Sequence, residues 1–164
     1  THMVLLDWIV GTPPPEFGAL LSALQERDRW LATRGELFRM WIADGEAPQV
    51  ARHIREEMGS YGFEMWARAA LAIESAYGDG TPLEALARLQ PPCPTLHLYA
   101  QPRDPRTLAV QQDFARANPW FRVQRLEARS HFPALESPDE TARAILAFAS
   151  EGQRRAGPLA SPGH

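Results

Sequence analysis

Two ionisable residues in this chain are of the types that perform acid–base chemistry together. Asp7 interrupts the apolar run MVLLDWIV at residues 3–10, and His131 lies in the loop sequence ARSHFP before the last helical segment. A carboxylate that is buried without a partner is costly. Beside a histidine it fixes the imidazole tautomer and stabilises the protonated ring, so the second ring nitrogen can take a proton from a substrate. We therefore predict an Asp7–His131 pair; a solvated loop histidine and a carboxylate that caps a turn are the alternatives.

A nucleophile or a metal site is not evident in the sequence. The chain has no Gly-x-Ser-x-Gly motif, the turn that presents a nucleophilic serine. The segment MGSYG at residues 58–62 lacks the first glycine and joins two helical segments, so Ser60 is predicted to be a turn residue. No pair of histidines has convincing metal-ligand spacing. Cys93, the only cysteine, lies between prolines and is predicted to be a packing residue, so we expect no metal site.

The elements that must position Asp7 and His131 follow from the periodicity of apolar residues. Three apolar or alternating segments predict strands, at residues 3–10, 95–100 and 121–126. A segment of helical spacing at residues 105–118 joins the second strand to the third. Strand, helix, strand is a parallel crossover unit. The first strand is apolar enough to be buried on both faces. Ligand sites in open α/β sheets lie at the carboxyl ends of strands, which is where both residues are expected.

A block of helical spacing separates the first two strands. It spans about residues 16–90 and is predicted to form a helical cap or lid of four or five short helices. With the strands it makes one partial domain at residues 4–150, and residues 151–164 are predicted to be a disordered tail. This order of elements is that of the C-terminal half of an α/β-hydrolase fold, in which the partners occur as nucleophile, acid, histidine. Asp104, after the second strand, is an alternative acid.

The predicted half-domain lacks parts that a complete one has. The nucleophile strand and the oxyanion loop are expected before Thr1, and residues 1–3 resemble an expression-vector join. Unpaired strand edges predict self-association or a missing N-terminal half. A net charge of -3 and 45% hydrophobic residues argue against nucleic-acid and membrane partners. We expect a cytoplasmic protein whose partner is a neutral small molecule or another protein.

Several segments, in the same order, resemble one family on this fold. They are LLDWIVGTPPPEF, DRW at residues 28–30, LFRMWIADG, REEMGSYGFEMW, NPWF at residues 118–121, and SHFPALESPDE. These segments are similar to the cofactor-independent dioxygenases that open the ring of 3-hydroxy-4-quinolones and release carbon monoxide. The resemblance covers nearly all of residues 4–150 but only the second half of the family's chain.

The resemblance implies roles for four residues. His131 matches the base that removes the substrate 3-hydroxyl proton, and Asp7 matches its supporting carboxylate. Trp41 matches a residue of the substrate and dioxygen cavity, and Trp66 matches another aromatic position that we assign to substrate binding; packing is the alternative for both. The substrates implied are an aromatic N-heterocycle and dioxygen, without a cofactor. An esterase or amidase that uses a serine outside this chain, and a non-catalytic truncated fragment, are the other readings; the chain alone is expected to be inactive.

Overall fold

The centre of the fold is a short parallel sheet. The computed structural model describes residues 2–42 and 47–156, and within them three strands pair in chain order: β1 (Met3–Leu6), β2 (Thr95–Tyr99) and β3 (Phe121–Arg125). Their first residues lie side by side, since Met3 pairs with Thr95 and Thr95 pairs with Phe121. The three strands therefore end at one edge, and the loops that follow them converge there.

The first strand is shorter and more exposed than the sequence predicts. It ends at Leu6, because Asp7 adopts a left-handed backbone conformation with a φ of 49°. Aspartate visits this region more readily than most non-glycine residues, since its short polar side chain can hydrogen-bond locally. Leu6 is 44% exposed, so the expected burial on both faces does not hold within the described residues. In those residues β1 has β2 as its strand neighbour on one side.

Helices fill the segment between β1 and β2, in agreement with the predicted helical spacing. They are α1 (Glu16–Leu24), α2 (Trp30–Trp41), α3 (Pro48–Arg52), α4 (Phe63–Ala76) and α5 (Pro82–Ala87), and a π-helical segment, His53–Met58, continues α3. A buried cluster joins α1, α2 and α4 through Leu21, Leu24, Leu37, Trp66 and Ala70. We call the segment from α1 to α4 the cap, because α1, α2 and α4 share an apolar core of their own.

The sheet is covered on both faces. Val10, Leu83 and Leu86 pack with Phe121 on one side, and α5 is tied to the chain after β1 by the N–H of Leu83, which donates to the Val10 carbonyl at 3.1 Å. On the other side Phe148 packs with three buried leucines, Leu96, Leu98 and Leu126. The strands are thus fixed by clusters that are separate from the core of the cap.

The remaining helices follow β2 and β3. They are α6 (Pro105–Ala117), α7 (Pro133–Glu136) and α8 (Pro138–Ala156), and α6 completes the predicted crossover between β2 and β3. α8 continues past Ser150, where the sequence predicts that a tail begins; residues 157–164 lie outside the described residues. Among the helices described, none has the length and apolar character required to cross a membrane.

Candidate active site

Asp7 and His131 are in direct contact, although 124 residues separate them in the chain. Nδ1 of His131 lies 2.6 Å from Oδ2 of Asp7. Asp7 ends β1 and His131 lies between β3 and α7, so the shared strand edge brings the two side chains together. Because an ionised carboxylate only accepts hydrogen bonds, Nδ1 carries the proton. Nε2 is then the ring atom that can accept a proton from a ligand.

The second carboxylate oxygen of Asp7 is held by backbone. Oδ1 accepts from the N–H groups of Ala100 at 2.6 Å and of Gln101 at 3.2 Å, directly after β2. The side chain of Asp7 is 3% exposed, whereas that of His131 is 38% exposed. These hydrogen bonds offset the cost of burying the carboxylate. They also fix its direction, while the imidazole stays accessible.

Asp104, the alternative acid, has a different role in the structure. Its carboxylate accepts from the N–H of Arg106 at 3.2 Å and caps the N-terminus of α6. Aspartate is among the preferred residues at this position. The carboxylate in contact with His131 is that of Asp7, so the geometry favours Asp7 as the acid partner.

An apolar cavity of about 330 Å³ opens beside the pair. Aliphatic and aromatic side chains form most of its wall: Trp8, Ile9, Pro14, Phe17, Leu20, Leu37, Met40, Trp41, Ile73, Tyr77 and Pro102. The carboxylates of Asp7 and Glu16 and the imidazole of His131 complete the lining. Small-molecule sites of this size are typically apolar with a few polar groups that orient the ligand. The cavity can therefore hold a small aromatic molecule against His131.

The two tryptophans predicted to bind substrate have different positions. Trp41, the last residue of α2, lines the cavity, and its ring packs edge-to-face on Phe132 with centroids 5.9 Å apart. Trp66 lies in the core of the cap and is not among the residues that line this cavity. The face of α4 that bears Trp66 and Ala70 packs towards α1, so the structure places Trp66 in the core of the cap, and its substrate contact stays a prediction.

Other residues considered in the sequence have local roles. The hydroxyl of Ser60 donates to the Glu57 carbonyl at 2.6 Å, between the π-helical segment and α4, as expected of a turn residue. Cys93 is a free thiol. Within residues 2–42 and 47–156, no group of three or more His, Cys, Asp or Glu side chains is arranged to hold a metal ion.

A buried polar pair was not anticipated from the sequence. Nδ1 of His97, in β2, lies 2.5 Å from Oε1 of Gln111 in α6, and the Gln111 amide nitrogen donates to the Thr107 carbonyl at 3.2 Å. Since that nitrogen is already used as a donor to Thr107, Nδ1 of His97 is the donor of the pair. Burial lowers the pKa of His97, although its hydrogen bond to Gln111 opposes the shift. The pair joins the central strand to α6. The sequence feature that could have predicted this pair is a glutamine, Gln111, among the apolar positions of α6.

Curated relatives match the chain, whereas no protein-family model does. The chain is 36% identical over 141 residues to the 2-heptyl-3-hydroxy-4(1H)-quinolone dioxygenase of Mycobacteroides abscessus, a match that covers 85% of the chain and 52% of the relative. It is 39% identical over 147 residues to the 2-heptyl-3-hydroxy-4-quinolone dioxygenase AqdC1 of Rhodococcus erythropolis, covering 89% and 52%. The chain therefore spans about half the length of the curated relatives it matches.

A solved structure gives the same result. The structure of 1H-3-hydroxy-4-oxoquinoline 2,4-dioxygenase superposes with a TM-score of 0.84 at 33% identity, covering 89% of this chain and 56% of that one. The match is to the C-terminal half of these proteins. The comparisons confirm the predicted resemblance to quinolone dioxygenases and the predicted α/β fold, the C-terminal half of the α/β-hydrolase arrangement.

Proposed function

We propose that this chain forms the C-terminal half of a cofactor-independent 2,4-dioxygenase, which cleaves the ring of a 3-hydroxy-4(1H)-quinolone-type substrate and releases carbon monoxide. The observation that carries the proposal is the contact between Asp7 and His131 at the wall of an apolar cavity. The similarity to quinolone dioxygenases supports it. Asp7 and His131 are the proposed catalytic residues, and Trp41 is the proposed substrate contact.

His131 acts as the general base in this mechanism. Its Nε2 takes the proton of the substrate 3-hydroxyl, and Asp7 stabilises the resulting imidazolium through Nδ1. The deprotonated heterocycle is electron-rich and passes an electron to dioxygen. The organic substrate thereby takes the part that a metal or a flavin has in other oxygenases.

The apolar wall contributes by excluding water. A site without water strengthens the interaction between the substrate anion and the imidazolium, because the effective dielectric constant is lower than in bulk water. Trp41, whose side chain lines the cavity, offers an aromatic contact for the heterocycle. The chain's own residues therefore supply the base, the partner of the base and part of a dry aromatic cavity.

The remaining machinery is proposed to come from a segment like the N-terminal half of the relatives. The 164 residues contain no Gly-x-Ser-x-Gly elbow. We expect the chain by itself to be inactive, and to self-associate or to pair with such a segment. The proposed location is the cytoplasm, a reducing compartment that fits the single free thiol of Cys93.

The test is a chimera in which this chain replaces the matching C-terminal half of the Rhodococcus erythropolis relative. We expect it to consume a 3-hydroxy-4-quinolone and form carbon monoxide only when dioxygen is present. His131→Ala should lower kcat by about 10²–10⁴-fold, the usual contribution of a general base. An anaerobic incubation of the same chimera is the control.

Ester or amide hydrolysis is the second candidate, because an aspartate–histidine pair also activates a serine nucleophile. Cleavage of a simple ester that continues undiminished without dioxygen would support the hydrolase and contradict the dioxygenase. A folded chimera with neither activity would contradict both, and would favour a non-catalytic fragment.

A further inference from the structure

The loop that carries His131 is held by the carboxylate of Glu136, the last residue of α7. Oε1 accepts from the backbone N–H of Arg129 at 2.8 Å. Oε2 accepts from the backbone N–H of Ser130 at 3.0 Å and from its hydroxyl at 2.8 Å. One side chain therefore binds both residues that immediately precede His131.

Ser130 extends this network to the other side of His131. Its Oγ accepts from the N–H of Phe132 at 3.2 Å while its hydroxyl donates to Glu136, and the residue is 2% exposed. The Phe132 carbonyl accepts in turn from the N–H of Glu136 at 3.1 Å. Both backbone neighbours of His131 are thus tied to one network, which restricts the segment that directs the imidazole towards Asp7.

The charge of Glu136 suits this position. Burial alone would raise the pKa of its carboxyl, but hydrogen bonds from Arg129 and Ser130 lower that pKa below its ordinary value. The group is ionised at neutral pH, and hydrogen bonds to an ionised acceptor are stronger than neutral ones. A carboxylate only accepts hydrogen bonds. A glutamine at this position would place its own N–H donor against the N–H groups of Arg129 and Ser130 and the Ser130 hydroxyl, which are donors too.

We propose that Glu136, acting through Ser130, is a positioning residue that keeps Nδ1 of His131 in hydrogen-bond contact with Asp7. Glu136 is not among the residues that line the cavity, so it acts on the base and not on a ligand. The catalytic consequence of this positioning rests on the proposed function. The positioning itself is a property of the loop, and it can be measured without turnover.

The test is NMR spectroscopy of the full chain, comparing wild type with Glu136→Gln and Ser130→Ala. The readouts are the Nδ1–H signal of His131 and the hydrogen-exchange rates of the loop amides. In both variants we expect the Nδ1–H signal to weaken through exchange with solvent. We also expect the loop amides to exchange about tenfold faster, the effect of losing one hydrogen bond that closes the loop.

Glu140→Gln is the matched control. It makes the same substitution at a nearby carboxylate that accepts a longer bond, from the N–H of Glu127 at 3.4 Å. We expect this variant to keep the wild-type Nδ1–H signal. Glu136→Asp retains the charge and should recover part of the signal that Glu136→Gln loses.

An unchanged His131 signal and unchanged loop exchange in both Glu136→Gln and Ser130→Ala would overturn the proposal. An equal loss in Glu140→Gln would also overturn it, because the effect would then be general. If Glu136→Gln unfolds the chain, Ser130→Ala decides the question, since it removes a single hydroxyl. Turnover of the chimera tests the proposed function separately, so the two failures can be distinguished.

Discussion

At the scale of single residues, the backbone conformation of Asp7 determines which chemistry is available at the strand end. Its left-handed φ turns the chain away from β1. The carboxylate then lies between the backbone after β2 and the imidazole of His131. One oxygen accepts from the backbone after β2 and the other contacts His131, the proposed base, so substitutions can separate the structural role of Asp7 from its proposed catalytic role.

Asp7→Asn should remove the proposed support of His131 as a general base and keep the hydrogen bonds from the backbone after β2. Its Oδ1 can still accept from Ala100 and Gln101, but its amide nitrogen would face Nδ1 of His131 and disfavour the Nδ1–H tautomer. In the chimera we expect kcat to fall by about 10²–10⁴-fold, with little change in the thermal unfolding midpoint. Steady-state kinetics and thermal unfolding check this.

Asp104→Asn is the control for Asp7→Asn. Asparagine caps helices about as well as aspartate does, so both stability and kcat should stay close to those of the parent chimera. If Asp104→Asn lowers kcat as much as Asp7→Asn does, then Asp104 is the acid and the assignment above is wrong.

Glu136 should make the stability of the chain depend on pH in the acid range. Burial opposes ionisation, but the hydrogen bonds to Glu136 lower its folded pKa below the ordinary value of 4.5. Its stabilising contribution is therefore complete above that pH and is lost as the pH falls through the folded pKa. The difference in Tm between wild type and Glu136→Gln should be largest above pH 4.5 and should shrink below it. A difference that grows towards acid pH would contradict this.

At the scale of elements, β2 is the strand on which the arrangement depends. It lies between β1 and β3, and each of its residues is buried. One of its buried polar residues, His97, is paired with Gln111 of α6. A polar pair at this depth stabilises the packing of α6 on the sheet only while both partners are present. Its loss should therefore lower global stability and not only local order.

Gln111→Leu should destabilise the chain by about 1–3 kcal/mol, because the buried Nδ1–H of His97 loses its acceptor. The free energy of unfolding from denaturant titration measures this. Gln112→Leu, at the exposed neighbouring position, is the matched control and should change stability by less than about 0.5 kcal/mol. Equal stability of the two variants would show that the histidine does not depend on Gln111.

At the scale of the whole molecule, the described residues leave apolar surface open. Leu146 on α8 is 66% exposed, and Leu6 at the end of β1 is also exposed. Within the described residues, the outer edge of β1 is also unpaired, and unpaired strand edges and exposed leucines are surfaces on which another chain or segment can pack.

We expect the isolated chain to have a solution mass above the 18.3 kDa of one copy. The physical reason is the open edge of β1 together with the exposed leucines. Size-exclusion chromatography with light scattering measures this mass. Addition of a segment that matches the N-terminal half of a relative should reduce self-association. A stable monomer at all concentrations would contradict the prediction.

The amino-acid sequence was sufficient for the order and type of the main elements, and it predicted Asp7 as the partner of His131 with Asp104 as the alternative. Apolar periodicity predicts the strands and the cap because it records which face of each element is buried. An ionisable residue in an apolar run requires a partner, and the motif around His131 supplied one. These inferences depend on local pattern, or on a resemblance that spans most of the chain.

Three-dimensional packing was needed to establish where β1 ends, which aspartate contacts His131, which tryptophan lines the cavity, and what holds the His131 loop. Each of these depends on the direction of a side chain relative to residues far away in sequence. Trp41 and Trp66 are the same residue type on helices that pack together. Trp41 lines the cavity, whereas Trp66 lies in the core of the cap, because the face of α4 that bears Trp66 packs on α1. Periodicity defines a buried face, but not the element against which that face packs.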